Sequence, residues 1–460
     1  MAIVLLVFSL PFIGMDNYLL FLSGLLVVPI LFVLLWQPGA PQVLLFAALF
    51  QWTQVFVDII NHDHLYTITG LSTLDDAIAL SFVALVVLAL GIRLGIENAE
   101  LDIRTKLDQV LKTRASGLFV GYLIAIVAGQ TSDLLVGVVP PLRQLLLVIS
   151  DFRWIFVILI FWGAVRSSRF LPYAAVVLGA ELLVGFLSYF SSFKLVLFAA
   201  IVTLLGKHRS LRALFNSRLL VITSVLLVLV GFWQVVKEDY REHLSQGRLA
   251  QVELISVTER LSFLSSRISS ITSEDIQDGF DKGLMRIGYT RYFAYSIRQV
   301  PAKIDYQNGK LWGEAVQHVF MPRAFFPGKK AVNDSERTQT YTGIYVAGIE
   351  RGTSISIGYV GESYIDFGPV FMFVPIFFLG VFWGLAYRGL VNFPGCGYLG
   401  AATGITLILH HAILFESSNI KLLGGAVTAF IVFIATLYFA RARIHRFLFG
   451  ARWRAVVGSS

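Results

Sequence analysis

Eight cationic side chains, Arg286, Arg291, Arg298, Arg323, Lys329, Lys330, Arg337 and Arg351, recur with interleaved aromatics through one polar stretch, residues 285–366. Guanidinium forks match phosphate oxygens bidentately and neutralise negative charge that grows on a departing group. The chemistry expected of such a row is the handling of a diphosphate. The periodicity predicts a helix over 284–299, on which Arg291 and Arg298, seven residues apart, share a face with Arg286 nearby. Further on, Pro322 and Pro327 stiffen the turn MPRAFFPGKK, which holds Arg323 and Lys329 on either side of Phe325 and Phe326. That pins cations against an apolar surface on which a lipid can lie. Two plainer readings stand beside these: a solvated basic face paired with Asp281, Asp305 and Glu314, and a turn whose phenylalanines plug a helical bundle.

The elements that must position these cations are apolar. The chain has 460 residues, is 56% hydrophobic and 14% charged, and has a mean hydropathy of +0.74, more apolar surface than a water-soluble fold can bury. The expected fold class is an all-α polytopic membrane protein. A span needs about 20 apolar residues to cross roughly 30 Å of hydrocarbon. That rule places twelve helices, near 2–13, 17–36, 42–60, 74–93, 115–130, 141–165, 170–189, 193–206, 218–236, 367–389, 397–415 and 422–440. Residues 1–236 then carry helices 1 to 9, 237–366 a long loop, 367–440 helices 10 to 12, and 441–460 a basic tail. The N-terminal stretch lacks a basic region and a small-residue cleavage site, so it reads as a retained first helix.

Basic residues at 93–114, 166–169, 207–218, 388 and 441–454 all fall on one side of this twelve-span arrangement. By the positive-inside rule that side is the cytoplasm, which puts both termini inside and the loop outside, in the periplasm of a bacterial inner membrane. The formal charge of +8 therefore needs no nucleic-acid partner. The loop's sixteen cations and sixteen acids cancel overall, yet residues 286–337 hold nine cations against four acids, Asp305, Glu314, Asp334 and Glu336. Before them, Leu249, Val252, Ile255, Leu261, Leu264 and Ile268 fall at helical intervals, predicting an amphipathic helix at the outer mouth or membrane surface.

The order Arg286, a helix, Pro301, Gly309, MPRAFFPGKK and then GIERGTSISIGYVGESYIDFG leading into a span resembles the Wzy-type oligosaccharide repeat-unit polymerases of bacterial surface polysaccharides. The likeness covers roughly residues 185–385, and the layout, GT-C-like, is shared with the O-antigen ligases. It implies joining of undecaprenyl-diphosphate-linked oligosaccharides, with membrane lipid and a chain-length regulator as further partners and with no metal and no cofactor. On that implication Arg286, Arg291, Arg298, Arg323, Lys329 and Arg351 bind or neutralise diphosphate. Lys194 stands where such polymerases commonly carry a small-small-Arg sequence, and it keeps the charge but loses the fork. Glu362, between glycines just before helix 10, is the expected base for the sugar hydroxyl, its alternative being a capping or salt-bridging acid. Asp366 is the expected N-cap of that helix. Tyr359 and Tyr364 are placed to stack on sugar rings or to join the interfacial aromatic belt.

Ionisable groups inside the apolar spans carry their own expectations. Glu181 and Lys194 are expected to pair across a tight hairpin, and Asp151 and Arg153 to reach the outer cavity, where Arg153 joins the phosphate site. His62, Asp63 and His64 alternate on a short loop and are not expected to converge on a metal. His318 is an alternative base, and His410 and His411, near Glu416, are left without a role. The single Cys396 excludes an intrachain disulfide and a redox pair. Two other functions remain open: an O-antigen ligase delivering glycan to lipid A-core, and a transporter of lipid-linked glycan, which would show pseudo-repeated halves that this chain lacks.

Overall fold

A computed structural model of the chain describes residues 17–62, 65–66, 70, 72–97, 101–139, 142–187, 193–207, 217–246, 255–270, 272–321, 326, 328–329, 333–348 and 353–449. Every regular element among them is helical. The first run comprises α1 (Tyr18–Leu35), α2 (Val43–Ile60), α3 (Leu74–Ile96), the short α4 (Ile103–Asp108), α5 (Ala115–Val138), α6 (Arg143–Arg166), α7 (Leu171–Leu187), α8 (Lys194–Leu205) and α9 (Ser217–Ser245). Then come α10 (Val257–Ser270), α11 (Ser273–Ile287), α12 (Arg291–Gln299), α13 (Lys310–Phe320), α14 (Asp334–Thr342) and α15 (Tyr359–Phe371). The chain closes with α16 (Phe373–Val391), α17 (Tyr398–His411) and α18 (Asn419–Phe449).

Among the described residues nine helices are long and apolar enough to cross a membrane. The chain therefore has the architecture of a multi-pass helical membrane protein. Two expected spans, α8 and α17, are only 12 and 14 residues long. They fall short of the length a bilayer demands, and nearly every α17 side chain is buried, so α17 is packed by other helices rather than by lipid. The expected first span lies outside the described residues, as does the tail from 450; residues 441–449 are not a separate tail but the last turns of α18. The sixth expected span is α6, which runs over Arg143–Arg166.

The tightest contact in the bundle is between α3 and α16. Each carries glycines four apart, Gly91 and Gly95 on α3, Gly380 and Gly384 on α16, and the backbones meet there. A Cβ on Gly95 would stand 2.8 Å from the Gly384 Cα and 2.6 Å from the Val381 carbonyl oxygen. Close approach through small residues is how helices gain dispersion energy where lipid removes the hydrophobic drive. Gly384→Leu has no space to occupy and is expected to cost about 3 kcal/mol or more by overpacking. Thermal unfolding in nanodiscs reads this, and a melting temperature equal to wild type would remove the glycine pair from the packing argument.

The long polar segment is not a tethered domain. The predicted continuous helix over 284–299 is broken at 288–290, where Thr290 donates both its backbone N–H (2.8 Å) and its hydroxyl (2.6 Å) to the buried Asp58 carboxylate of α2. The Tyr289 N–H adds a bond to the Gln54 carbonyl at 3.0 Å. Two apolar spacings thus belong to two helices. Arg286 ends α11, whereas Arg291 and Arg298 sit on α12.

Candidate functional site

Four cations converge where α8, α9 and α11 meet. Lys194 opens α8, Lys237 and Arg241 lie one turn apart on α9, and Arg286 stands in the last turn of α11; together with Phe193, Val230, Trp233 and Gln234 they line a cavity of about 70 Å³. The aromatic half of the wall is rigid: Trp233 is buried against Phe193 and Tyr240. Lys237 is 8% exposed and donates to Gln234 Oε1 at 3.3 Å, while Lys194 and Arg286 are exposed at the rim. Among the residues lining the cavity none is acidic. Four cations beside an apolar wall make a multivalent anion with an apolar neighbour a fitting occupant. Among the described residues Glu416 acts on Lys194 as an attracting charge and Arg286 as a repelling one.

A second polar cluster stands beside the first. Glu362, in the first turn of α15, is 1% exposed, and both of its oxygens are engaged: Oε1 accepts from the Arg337 guanidinium at 3.3 Å and Oε2 from the Asn419 N–H at 2.8 Å. Arg337 also donates to Glu314 at 2.7 Å, and Lys421 pairs with the buried Asp334 at 2.8 Å. Gly358 makes the approach feasible. It caps α15 at φ 96°, and a Cβ there would meet the Phe415 carbonyl oxygen at 2.8 Å. Burial works against the Arg337 charge, but Glu362 and Glu314 outweigh it and hold the guanidinium above its ordinary range.

Burial pushes the Glu362 carboxyl up to about 7, against the lowering by Arg337 and the Asn419 N–H. The folded chain therefore keeps a proton that the unfolded chain releases near 4.5, so the stability tied to this group is complete below pH 4.5 and is lost as pH rises through about 7. Unfolding scans from pH 5 to 8 are expected to show falling stability, and Glu362→Gln to flatten that slope. A mutant slope as steep as wild type would assign the titration elsewhere.

The segment between α17 and α18 joins the two clusters. Its Glu416 carboxylate accepts from Gln54 Nε2 and acts on Lys194, its Glu416 carbonyl accepts from Ser356, and Asn419 holds Glu362. Asp151 of α6 reaches the same end of the bundle, with His410 Nδ1 at 3.1 Å and His411 Nε2 at 3.8 Å.

Among the described residues, two of the cationic sequence candidates, Lys194 and Arg286, line the cavity together. Arg291 lies over the Tyr292 ring and acts on Asp58, and Arg298 is exposed over Tyr295; α12 keeps both off the cavity. Lys329 donates to the His318 carbonyl at 2.6 Å and the Met321 carbonyl at 2.7 Å, capping the end of α13. Tyr364 is buried, packs on Phe293 and Tyr306 and donates to the Val300 carbonyl at 3.0 Å, which makes it a core residue rather than a sugar platform. Arg323 and Arg351 lie outside the described residues.

Three expectations are corrected. Glu181 does not pair with Lys194: it accepts from Tyr122 at 2.9 Å and faces Arg153 at 3.6 Å, because the helices on either side reach it first. Arg153 is thereby held inside the bundle, beside Glu181, rather than among the residues lining the cation cavity. Asp366 caps a different helix, receiving the Leu311 and Trp312 N–H groups at the start of α13 at 3.0 and 2.9 Å. Among the described residues no group of three or more His, Cys, Asp or Glu side chains is arranged to hold a metal ion.

Sequence reasoning missed Lys237 and Arg241, which it placed at the start of the long loop, and Arg337, which it counted among the basic loop residues. The spacing of Lys237 and Arg241, four apart after Trp233, is the signal that was available. A family model described as a domain of unknown function, DUF8712, matches residues 56–417. The chain belongs to the DUF8712 family. The matched region of this DUF8712 protein takes in all four cavity cations, Glu362, Arg337, His410, His411 and Glu416, and excludes α1, most of α2 and all of α18. No curated protein and no solved structure matches the chain significantly.

Proposed function

We propose that this DUF8712 protein is a membrane glycosyltransferase that joins undecaprenyl-diphosphate-linked oligosaccharide repeat units at the outer face of a bacterial inner membrane. In this reading both termini are cytoplasmic and residues 237–366 face the periplasm. The observation that supports it most is the cavity of four cations walled by Phe193 and Trp233. Its charge suits a diphosphate, its aromatic wall suits the first isoprene units of a lipid, and its place at the end of apolar helices suits a substrate held in a bilayer.

The work asked of the cations is leaving-group stabilisation. Negative charge accumulates on the diphosphate as the glycosidic bond breaks, and fixed cations with no reorganisation to undergo lower that barrier. Lys194 and Arg286 meet the phosphates at the rim and Lys237 and Arg241 hold them from within. Glu362 keeps an ionisable carboxyl, but its contacts to Arg337 and Asn419 give it the role of fixing the start of α18 beside the cavity.

Membrane fractions containing the full chain are expected to elongate a purified lipid-linked repeat unit without added nucleotide sugar or metal, and to lose this with Arg286→Ala. Transfer to a lipid A-core acceptor instead would establish the ligase. Movement of the lipid-linked glycan across vesicles without a new glycosidic bond would establish a transporter.

A further inference from the structure

Glycosyl transfer to a hydroxyl needs a proton acceptor, and the geometry points to His410, oriented by Asp151, as that base. This rests on the glycosyl-transfer reading above. Glu362, the carboxylate expected in that role, has both oxygens engaged. The Asp151–His410 pair is arranged otherwise. His410 Nδ1 lies 3.1 Å from Asp151 Oδ1, while His410 Nε2 is buried without a hydrogen-bond partner. An enclosed ring nitrogen with no partner costs about 1–3 kcal/mol. That cost is recovered when a hydroxyl donates to it.

The ring is held for the task. The Trp154 indole meets it edge-on, with centroids 5.4 Å apart. Asp151 orients the imidazole and favours the cation it becomes, as a carboxylate does for any catalytic histidine whose far nitrogen takes the proton. The pair also belongs to the same end of the bundle as the cation cavity, since Glu416, five residues beyond His411, is the counter-charge of Lys194.

In the step itself the acceptor oxygen bonds to the anomeric carbon as its proton passes to His410 Nε2. The bond between that carbon and the diphosphate oxygen breaks, and its electron pair leaves with the diphosphate. The proton then passes to solvent, and the lipid diphosphate remains in the cation cavity as the anion.

The test uses the full chain in nanodiscs with lipid-linked oligosaccharide extracted from the source membranes, and inorganic diphosphate as headgroup probe. His410→Ala is expected to lower kcat at least about 100-fold with diphosphate affinity within twofold of wild type, and added imidazole to restore part of the rate. Asp151→Asn, a positioning change, is expected to lower kcat with KM unchanged. Since His410→Ala opens a hole beside Trp154, His410→Gln is measured in parallel; it fills the space and is expected to be as slow. Wild-type turnover in His410→Gln, or a slow His410→Ala that imidazole does not restore while the protein stays folded, overturns the base. A wild-type chain that neither binds diphosphate nor turns over overturns the glycosyl-transfer reading and the base with it, an outcome distinct from either of those.

Discussion

Reversing two charges of the cation cavity together, Lys237→Glu with Arg286→Glu, is expected to weaken inorganic diphosphate binding by roughly 100- to 10,000-fold. A hydrogen bond to a charged group is worth about 1.5–3 kcal/mol, two are lost, and each 1.4 kcal/mol is a factor of ten. Repulsion adds to the loss, because the new carboxylates face the anion and engage the remaining cations, Lys194 and Arg241. Titration calorimetry on the full chain in nanodiscs measures this directly. Arg298→Glu is the control: Arg298 is exposed over its own neighbour Tyr295 and lines no part of the cavity, so its change is expected to stay under about threefold. Equal losses in the two variants would mean that general surface charge, not a built cavity, attracts the anion.

The second large effect concerns stability. Arg337→Met removes the guanidinium that holds Glu362 and Glu314 and leaves a carboxyl 1% exposed without its counter-charge. Breaking a buried pair from one side costs about 3–5 kcal/mol, whereas replacing both partners costs far less. The double change Arg337→Met with Glu362→Gln is therefore expected to be the more stable of the two variants. Because Glu362 takes up a proton near 7, the single variant should be hurt less at pH 5 than at pH 8. A double-mutant cycle at both pH values measures the coupling. Additive losses with no pH dependence would show that Arg337 acts through packing alone.

Which parts of this molecule could be read from residue order follows from the range of the forces involved. The long spans are legible because an apolar run of membrane length is a local property, and α2, α3, α6 and α16 lie where such runs predict. The break at Gly288 is not, since the apolar spacing runs through it and the group that imposes it, Asp58, is 232 positions away. Glu181 and Lys194 show the converse error. They are close in sequence, but Glu181 finds its partners on α5 and α6, and Lys194 faces Glu416 in the segment before α18. Arg337 was visible as a cation and invisible as the partner of Glu362, because a charged loop residue is ordinarily solvated and only the folded backbone carries it inward. At the candidate site, Lys194 and Arg286 could be nominated by type; that Lys237 and Arg241 join them depends on α9 continuing as one helix past the end of its apolar run to Ser245.

The clasp between α2 and residues 289–290 bears on how the chain is made. At a synthesis rate of about 5–20 residues per second, the ribosome takes roughly 12 to 46 seconds after Asp58 to deliver Thr290. Throughout that interval an acidic helix end waits in or near the bilayer with its eventual partner not yet translated. Insertion and assembly are therefore separate events for α2, and nascent chains halted before residue 290 should carry it loosely held, open to extraction by urea or carbonate and to protease, until the closing residue emerges.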